Sequence, residues 1–199
     1  MRKAREYERI ADFQVKIDGL EAGWETVSLL FDGTEISFNA SYIGAEPLSS
    51  LIEAVEALNH EYCSGSDDSQ YFIDWVAEPG CMGLALKHNM SDDLLSMDIR
   101  VSKSEDINDD SAVHRNFAMN YSLFRRAVVD AAISALNKYG ICGFNQNWDV
   151  DNDVLPFGSL LSILGTKTYF DKGTRSLRSD LKQEIALLTL IASSEAKRQ

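Results

Sequence analysis

The chain has 199 residues, 45% apolar and 25% charged, with 19 basic against 31 acidic side chains and a formal net charge of -12. A fold of this size buries about 70% of its unfolded surface without disulfide or metal staples, and with only three prolines and no Gly-rich divider it is expected to form one domain over residues 1–199. Its charge opposes nucleic acid and anionic membrane surfaces, and no run of eighteen apolar residues is present.

Phe13, Val15 and Ile17 alternate with polar residues and lead into Gly19 to Gly23, the pattern of a strand and its turn. Thr26 to Phe31, Asp32-Gly33 and Thr34 to Tyr42 then read as a hairpin. Asp-Gly supplies the positive φ angles of a two-residue type I′ turn. Phe31 opposite Thr34 sets Leu29 against Ile36 and Val27 against Phe38, so the apolar residues of both strands share one face. Pro47 suits a first helical turn, Ser50 and Glu53 have capping-box spacing, and Leu48, Leu51, Ile52, Val55 and Leu58 follow the 3.6-residue period, which predicts a helix from Pro47 to Asn59.

A polar loop from Ser64 leads to a strand carrying Tyr71, Ile73, Trp75 and Ala77, a turn at Pro79-Gly80, and a return strand with Met82, Leu84 and Leu86. Pairing Ala77 with Met82 sets Trp75 opposite Leu84 and Ile73 opposite Leu86. Asn89 to Asp93 turns again, and Leu95, Met97, Ile99 and Val101 form a third strand. Glu105 to Ser111 reads as a solvated loop, followed by a long helix whose stripe runs Phe117, Tyr121, Phe124, Val128, Ala132, Ala135 and Tyr139 and which Gly140 stops. Ile141 to Trp148 is expected as a short strand and Pro156 to Leu164 as a short helix. Leu177, Leu181, Ile185 and Leu188 form the stripe of a C-terminal helix, widened by Leu187, Leu190 and Ile191. That wide stripe packs against the body or serves as a homodimer surface.

The expected fold class is α+β: a largely antiparallel sheet of six or seven strands in two meanders (βββα-βββα), helices mainly on one face, and a C-terminal helix. Cys63, Cys81 and Cys142 are odd in number and lack C-x-x-C spacing, so they spell neither a disulfide framework nor a zinc cluster. Free buried thiols and the lack of a signal-like apolar segment after Met1 point to the cytoplasm.

Chemistry-bearing motifs are sparse. Asp149, Asp151 and Asp153 have the spacing that opens an EF-hand loop, but Val154 replaces the required glycine and Leu160 the closing glutamate, so no metal is expected. His60, His88 and His114 form no i, i+4 pair, and no phosphate-cradling glycine run or nucleophile elbow is present, so no cofactor is expected and catalysis is disfavoured. These features favour a non-enzymatic intracellular protein-binding module presenting an acidic surface to a basic protein partner, in character like an immunity-type inhibitor or a secretion chaperone. Glu105, Asp106, Asp109 and Asp110 are the expected contacts, with Trp148, flanked by amides, as an aromatic lining. One alternative is a small-molecule-binding protein or hydrolase at the sheet edge, with Glu78 as base, His88 as acid and Trp148 beside them. The other is a structural homo-oligomer formed through the C-terminal helix.

Overall fold

Asp32 and Gly33 both have positive φ, 45° and 85°, so the Asp-Gly turn takes the conformation its chemistry favours. The register it sets pairs Phe31 with Thr34, Leu29 with Ile36 and Val27 with Phe38. The computed structural model describes residues 6–59, 68–104, 111–148, 156–163, 165, 168–171, 176–179, 182 and 185–186. In chain order the strands and helices are β1 (Glu8–Arg9), β2 (Phe13–Glu21), β3 (Trp24–Phe31), β4 (Thr34–Ser41), α1 (Pro47–Ala57), β5 (Asp68–Ala77), β6 (Gly80–Asn89), β7 (Leu94–Ser102), β8 (Val113–Asn120), α2 (Tyr121–Trp148), α3 (Phe157–Ile163), β9 (Thr168–Asp171) and β10 (Ser176–Ser179).

The architecture is α+β and mostly antiparallel, but the strands form two main sheets where one was expected. One has the order β2-β3-β4; the other has five strands in the order β1-β8-β7-β6-β5. The edges β4 and β5 approach around Ser41, whose hydroxyl donates to the Val76 carbonyl at 3.2 Å, without forming a ladder. A Cβ on Gly44 would lie 3.0 Å from the Val76 nitrogen, so this close crossing favours glycine. The inner faces of the sheets meet through stacked Phe31 and Phe117, whose ring centroids are 3.9 Å apart.

Several expectations change. The β5–β6 hairpin turns at Glu78 and Pro79, joined by a cis peptide bond, so Ala77 faces Gly80, Trp75 faces Met82 and Ile73 faces Leu84. This register lies two residues from the expected one, and a slip of two keeps the same side chains inward. Phe117 belongs to β8, not to the long helix: Phe117 and Met119 point inward with strand alternation, whereas the 3.6-residue period also passes through Phe117, Tyr121 and Phe124. The N-terminal strand β1 adds a parallel pair, Glu8 with Phe117 and Arg9 with Ala118.

The long helix breaks at Gly140 (φ 66°, ψ 170°), but the chain beyond it is helical to Trp148 where a strand was expected. Leu177 lies in β10, paired with Phe170 of the aromatic and β-branched strand β9, which displaces the expected C-terminal helix from that position. Ile185 of the expected stripe is helical but exposed, and Leu181, Leu187, Leu188, Leu190 and Ile191 lie outside the described residues.

Helix α1 lies deep in the core, with Leu48, Leu51, Ile52 and Ala54 all fully buried. Its N-cap is Glu46, not the expected Ser50: the Glu46 carboxylate accepts from Leu48 N at 2.7 Å and Ser49 N at 2.6 Å. Ser50 instead donates to the Pro47 carbonyl and accepts the Trp75 indole N–H at 2.8 Å. At the other end, Tyr121 donates to the Val55 carbonyl at 2.6 Å and His88 Nδ1 donates to the Leu58 carbonyl at 2.9 Å, satisfying acceptors that a helix terminus leaves open. Both ends of α1 are thus fastened by polar groups from other elements.

Candidate functional site

Because the inward residues of the five-stranded sheet meet α1, α2 and the β2-β3-β4 sheet, its alternate residues form the opposite, outer face. The ladders align that face into rows. Phe72 stands opposite Ala85, which stands opposite Asp98, which stands opposite Asn116. Asp74, Gly83, Arg100 and His114 form the next row, and Gln70, Lys87 and Ser96 the row on the other side. Strand β6, between the edge strand β5 and β7, contributes Gly83 and Ala85, so a trough opens between the larger side chains of its two neighbours. Strands lie about 4.8 Å apart, so Phe72 and Asp98, two strands apart, are separated by roughly 10 Å.

The resulting cleft has a volume of about 430 Å³ and is lined by Tyr7, Phe72, Asp74, Lys87, Asp98 and Arg100 over the small-residue floor. Phe72 is 69% exposed, an unusual setting for a phenyl ring in the middle of a strand. With its amide nitrogen turned towards Asp98, Asn116 donates to Oδ1 at 3.0 Å and orients that carboxylate. The cleft therefore offers two carboxylates, two cations and two aromatic rings. Such groups grip and orient a ligand.

The expected site residues are distributed otherwise. Glu105, Asp106, Asp109 and Asp110 lie outside the described residues, as do Asp149, Asp151, Asp153, His60 and Cys63. Trp148 is 5% exposed and belongs to the hydrophobic core, with Gly23 N donating to the neighbouring Asn147 carbonyl at 2.7 Å. Glu78 occupies the turn of the β5–β6 hairpin, whereas His88 pairs with Ser69 at its far end, so the structure does not bring this acid–base pair together. His88 is buried, its ring stacked on Tyr121 with centroids 4.3 Å apart and its Nε2 3.5 Å from Asp93 Oδ1. Cys81 is a buried free thiol whose Sγ donates to the Ser104 carbonyl at 3.2 Å.

Glu25 and Glu46 form a buried carboxyl pair that no sequence motif marks. Glu25 follows the inward parity of Val27, Leu29 and Phe31 on β3 and is fully buried. Among the described residues no close donor meets its two oxygens, and the carboxyl instead lies against the Glu46 carboxylate, with which it can share a hydrogen bond only while one of the two holds a proton. Burial first, and the neighbouring Glu46 carboxylate second, push the Glu25 carboxyl well above the ordinary range. The signal lay in the alternation, which carries Glu25 onto the core face. Among the described residues no cluster of three or more His, Cys, Asp or Glu could hold a metal ion, and no helix is long and apolar enough to cross a membrane. No protein-family model matches the chain, and no curated protein or solved structure matches it either.

Proposed function

We propose that the chain is a non-enzymatic binding module that holds a basic protein partner against the outer face of its five-stranded sheet. The observation that carries this reading is the exposed Phe72 beside a trough floored by Gly83 and Ala85. An aromatic anchor set among oriented charges has the make-up of a protein-binding hot spot. The net charge of -12 steers cationic partners towards the chain, while Asp74 and Asp98 receive basic side chains within the cleft. An acidic chain that masks a cationic partner, as an inhibitor or a chaperone does, fits this arrangement. The buried thiol of Cys81 suits a reducing compartment such as the cytoplasm.

Affinity capture from the native source, with the wild-type chain and Phe72→Ser side by side at low and high salt, tests the reading. Recovery of a basic protein that is lost with Phe72→Ser and weakened by salt is expected. Capture indifferent to both perturbations, or turnover of a small molecule by the purified chain, would overturn it. A second reading places a small molecule in the same cleft, favoured by a volume within the roughly 300–1,000 Å³ range of ligand pockets. Native mass spectrometry of the freshly purified chain separates the two, since a retained small ligand adds a discrete mass.

A further inference from the structure

A second concavity lies at the β2 edge of the three-stranded sheet, between that strand, which pairs only with β3 among the described strands, and a flank of α2. Its volume is about 740 Å³. Every residue from Asp12 to Asp18 lines it, whereas a groove over a sheet face would take alternate residues only. Consecutive lining means that the backbone edge of the strand forms the wall. The other wall comes from Arg126, Ala127, Asp130, Ala131 and Ser134, one face of α2 in which two alanines leave room between charged neighbours.

The hydrogen-bond phase of β2 can be read from its first turn. Asp32 N donates to the Asp12 carbonyl at 2.9 Å, so residues 12, 14 and 16 direct their backbone groups at β3. Phe13, Val15 and Ile17 then direct their N–H and C=O groups the other way, into the groove. β2 pairs with β3 alone among the described strands, so these groups have no ladder partner. The Lys138 ammonium donates to the Asp18 carbonyl at 3.3 Å and closes the edge at one end. Between Asp12 and that lysine no described strand pairs with this edge, which runs about 20 Å, the length of a six-residue strand.

We propose that this groove takes an extended segment of a partner polypeptide as an added strand, antiparallel to β2, with basic side chains opposite Asp12 and Asp18 and an acidic one opposite Lys16. Alternate apolar residues of that segment face Ala127 and Ala131. Charge selects a foreign segment over a second copy of this chain. Two β2 strands paired about Val15 would set Asp12 of one directly against Asp18 of the other, and like charges placed opposite each other destabilise a strand pair. The surface is separate from the Phe72 cleft, so the proposal stands or falls apart from the reading above.

The probe is the synthetic peptide Lys-Val-Glu-Val-Thr-Val-Lys, titrated into the isotope-labelled full chain with amide exchange followed residue by residue. Saturable binding is expected, with exchange protection gained at Phe13, Val15 and Ile17 while Gln14 and Lys16 keep theirs. Methylating the valine amides removes donors that face β2 and should weaken binding about tenfold or more, whereas methylating the glutamate and threonine amides, which face outward, should change it by less than about threefold. Reversing the peptide's charges should weaken binding at low salt, and Phe72→Ser should leave it unchanged. No binding at about 1 mM peptide, or equal loss from both methylation patterns, would overturn the proposal. So would concentration-dependent protection of Phe13, Val15 and Ile17 without peptide, since a second copy would then occupy the edge.

Discussion

Replacing Glu25 by glutamine should stabilise the chain, and by more the higher the pH. In the fold Glu25 is fully buried beside Glu46, and burial together with that neighbouring charge holds its carboxyl well above the ordinary value of 4.5. The folded chain therefore keeps a proton that the unfolded chain releases, and stability falls as pH rises from the ordinary value towards the raised one. The slope over that window is about 1.4 kcal/mol per pH unit, and stability levels off above the raised value. Below the ordinary value both states hold the proton and the penalty vanishes.

Glutamine keeps the shape of the side chain, carries no charge, and offers an amide N–H to the Glu46 carboxylate. Urea unfolding of both proteins from pH 4 to pH 9 gives the assay, because slopes from carboxylates remote from Glu25 cancel in the difference. The gain of Glu25→Gln should be small at the acid end and widen with pH, each kcal/mol raising Tm by about 2–4 °C in a chain of this length. Parallel stability profiles for the two proteins, or a difference that narrows as pH rises, would refute the reasoning.

Two further outcomes follow from buried contacts. Ser50→Ala removes the acceptor of the buried Trp75 indole N–H and should cost about 1–3 kcal/mol in chemical denaturation, with a change in tryptophan emission. Phe31→Leu and Phe117→Leu, combined in a double-mutant cycle, should show a coupling of about 0.5–1.5 kcal/mol, the worth of the ring stack that joins the two sheets; additive losses would deny the stack an energetic role.

Local turn chemistry and strand parity were legible in the sequence. Asp32-Gly33 set the first hairpin to the residue, because a type I′ turn admits one register. Parity also placed Ile73 and Trp75 inward although their partners lay two residues from the expected ones, since a slip of two preserves the face. What was not legible depends on partners remote in the chain. β1 is two residues long and exists through its parallel pairing with Phe117 and Ala118. The strand β8 was hidden because Phe117 satisfies both a strand and a helix period. The outer cleft could not be seen either: Gly83 and Ala85 form a floor only once Phe72 and Asp98 are brought to either side of them. Glu25 was legible in principle, but its carboxylate broke the apolar rule by which the inward face was read.

The parallel clasp between Glu8 and Phe117 has a consequence for biosynthesis. At about 5–20 residues per second, a ribosome releases the first member of this pair roughly 5–20 seconds before the second. Through that interval the nascent chain must keep its leading segment unengaged while the 13–41 hairpins, complete in themselves, are free to form. Translation speed across the middle of the message, and chaperone occupancy at the tunnel exit, should therefore influence yield more than the final stability of the molecule would suggest.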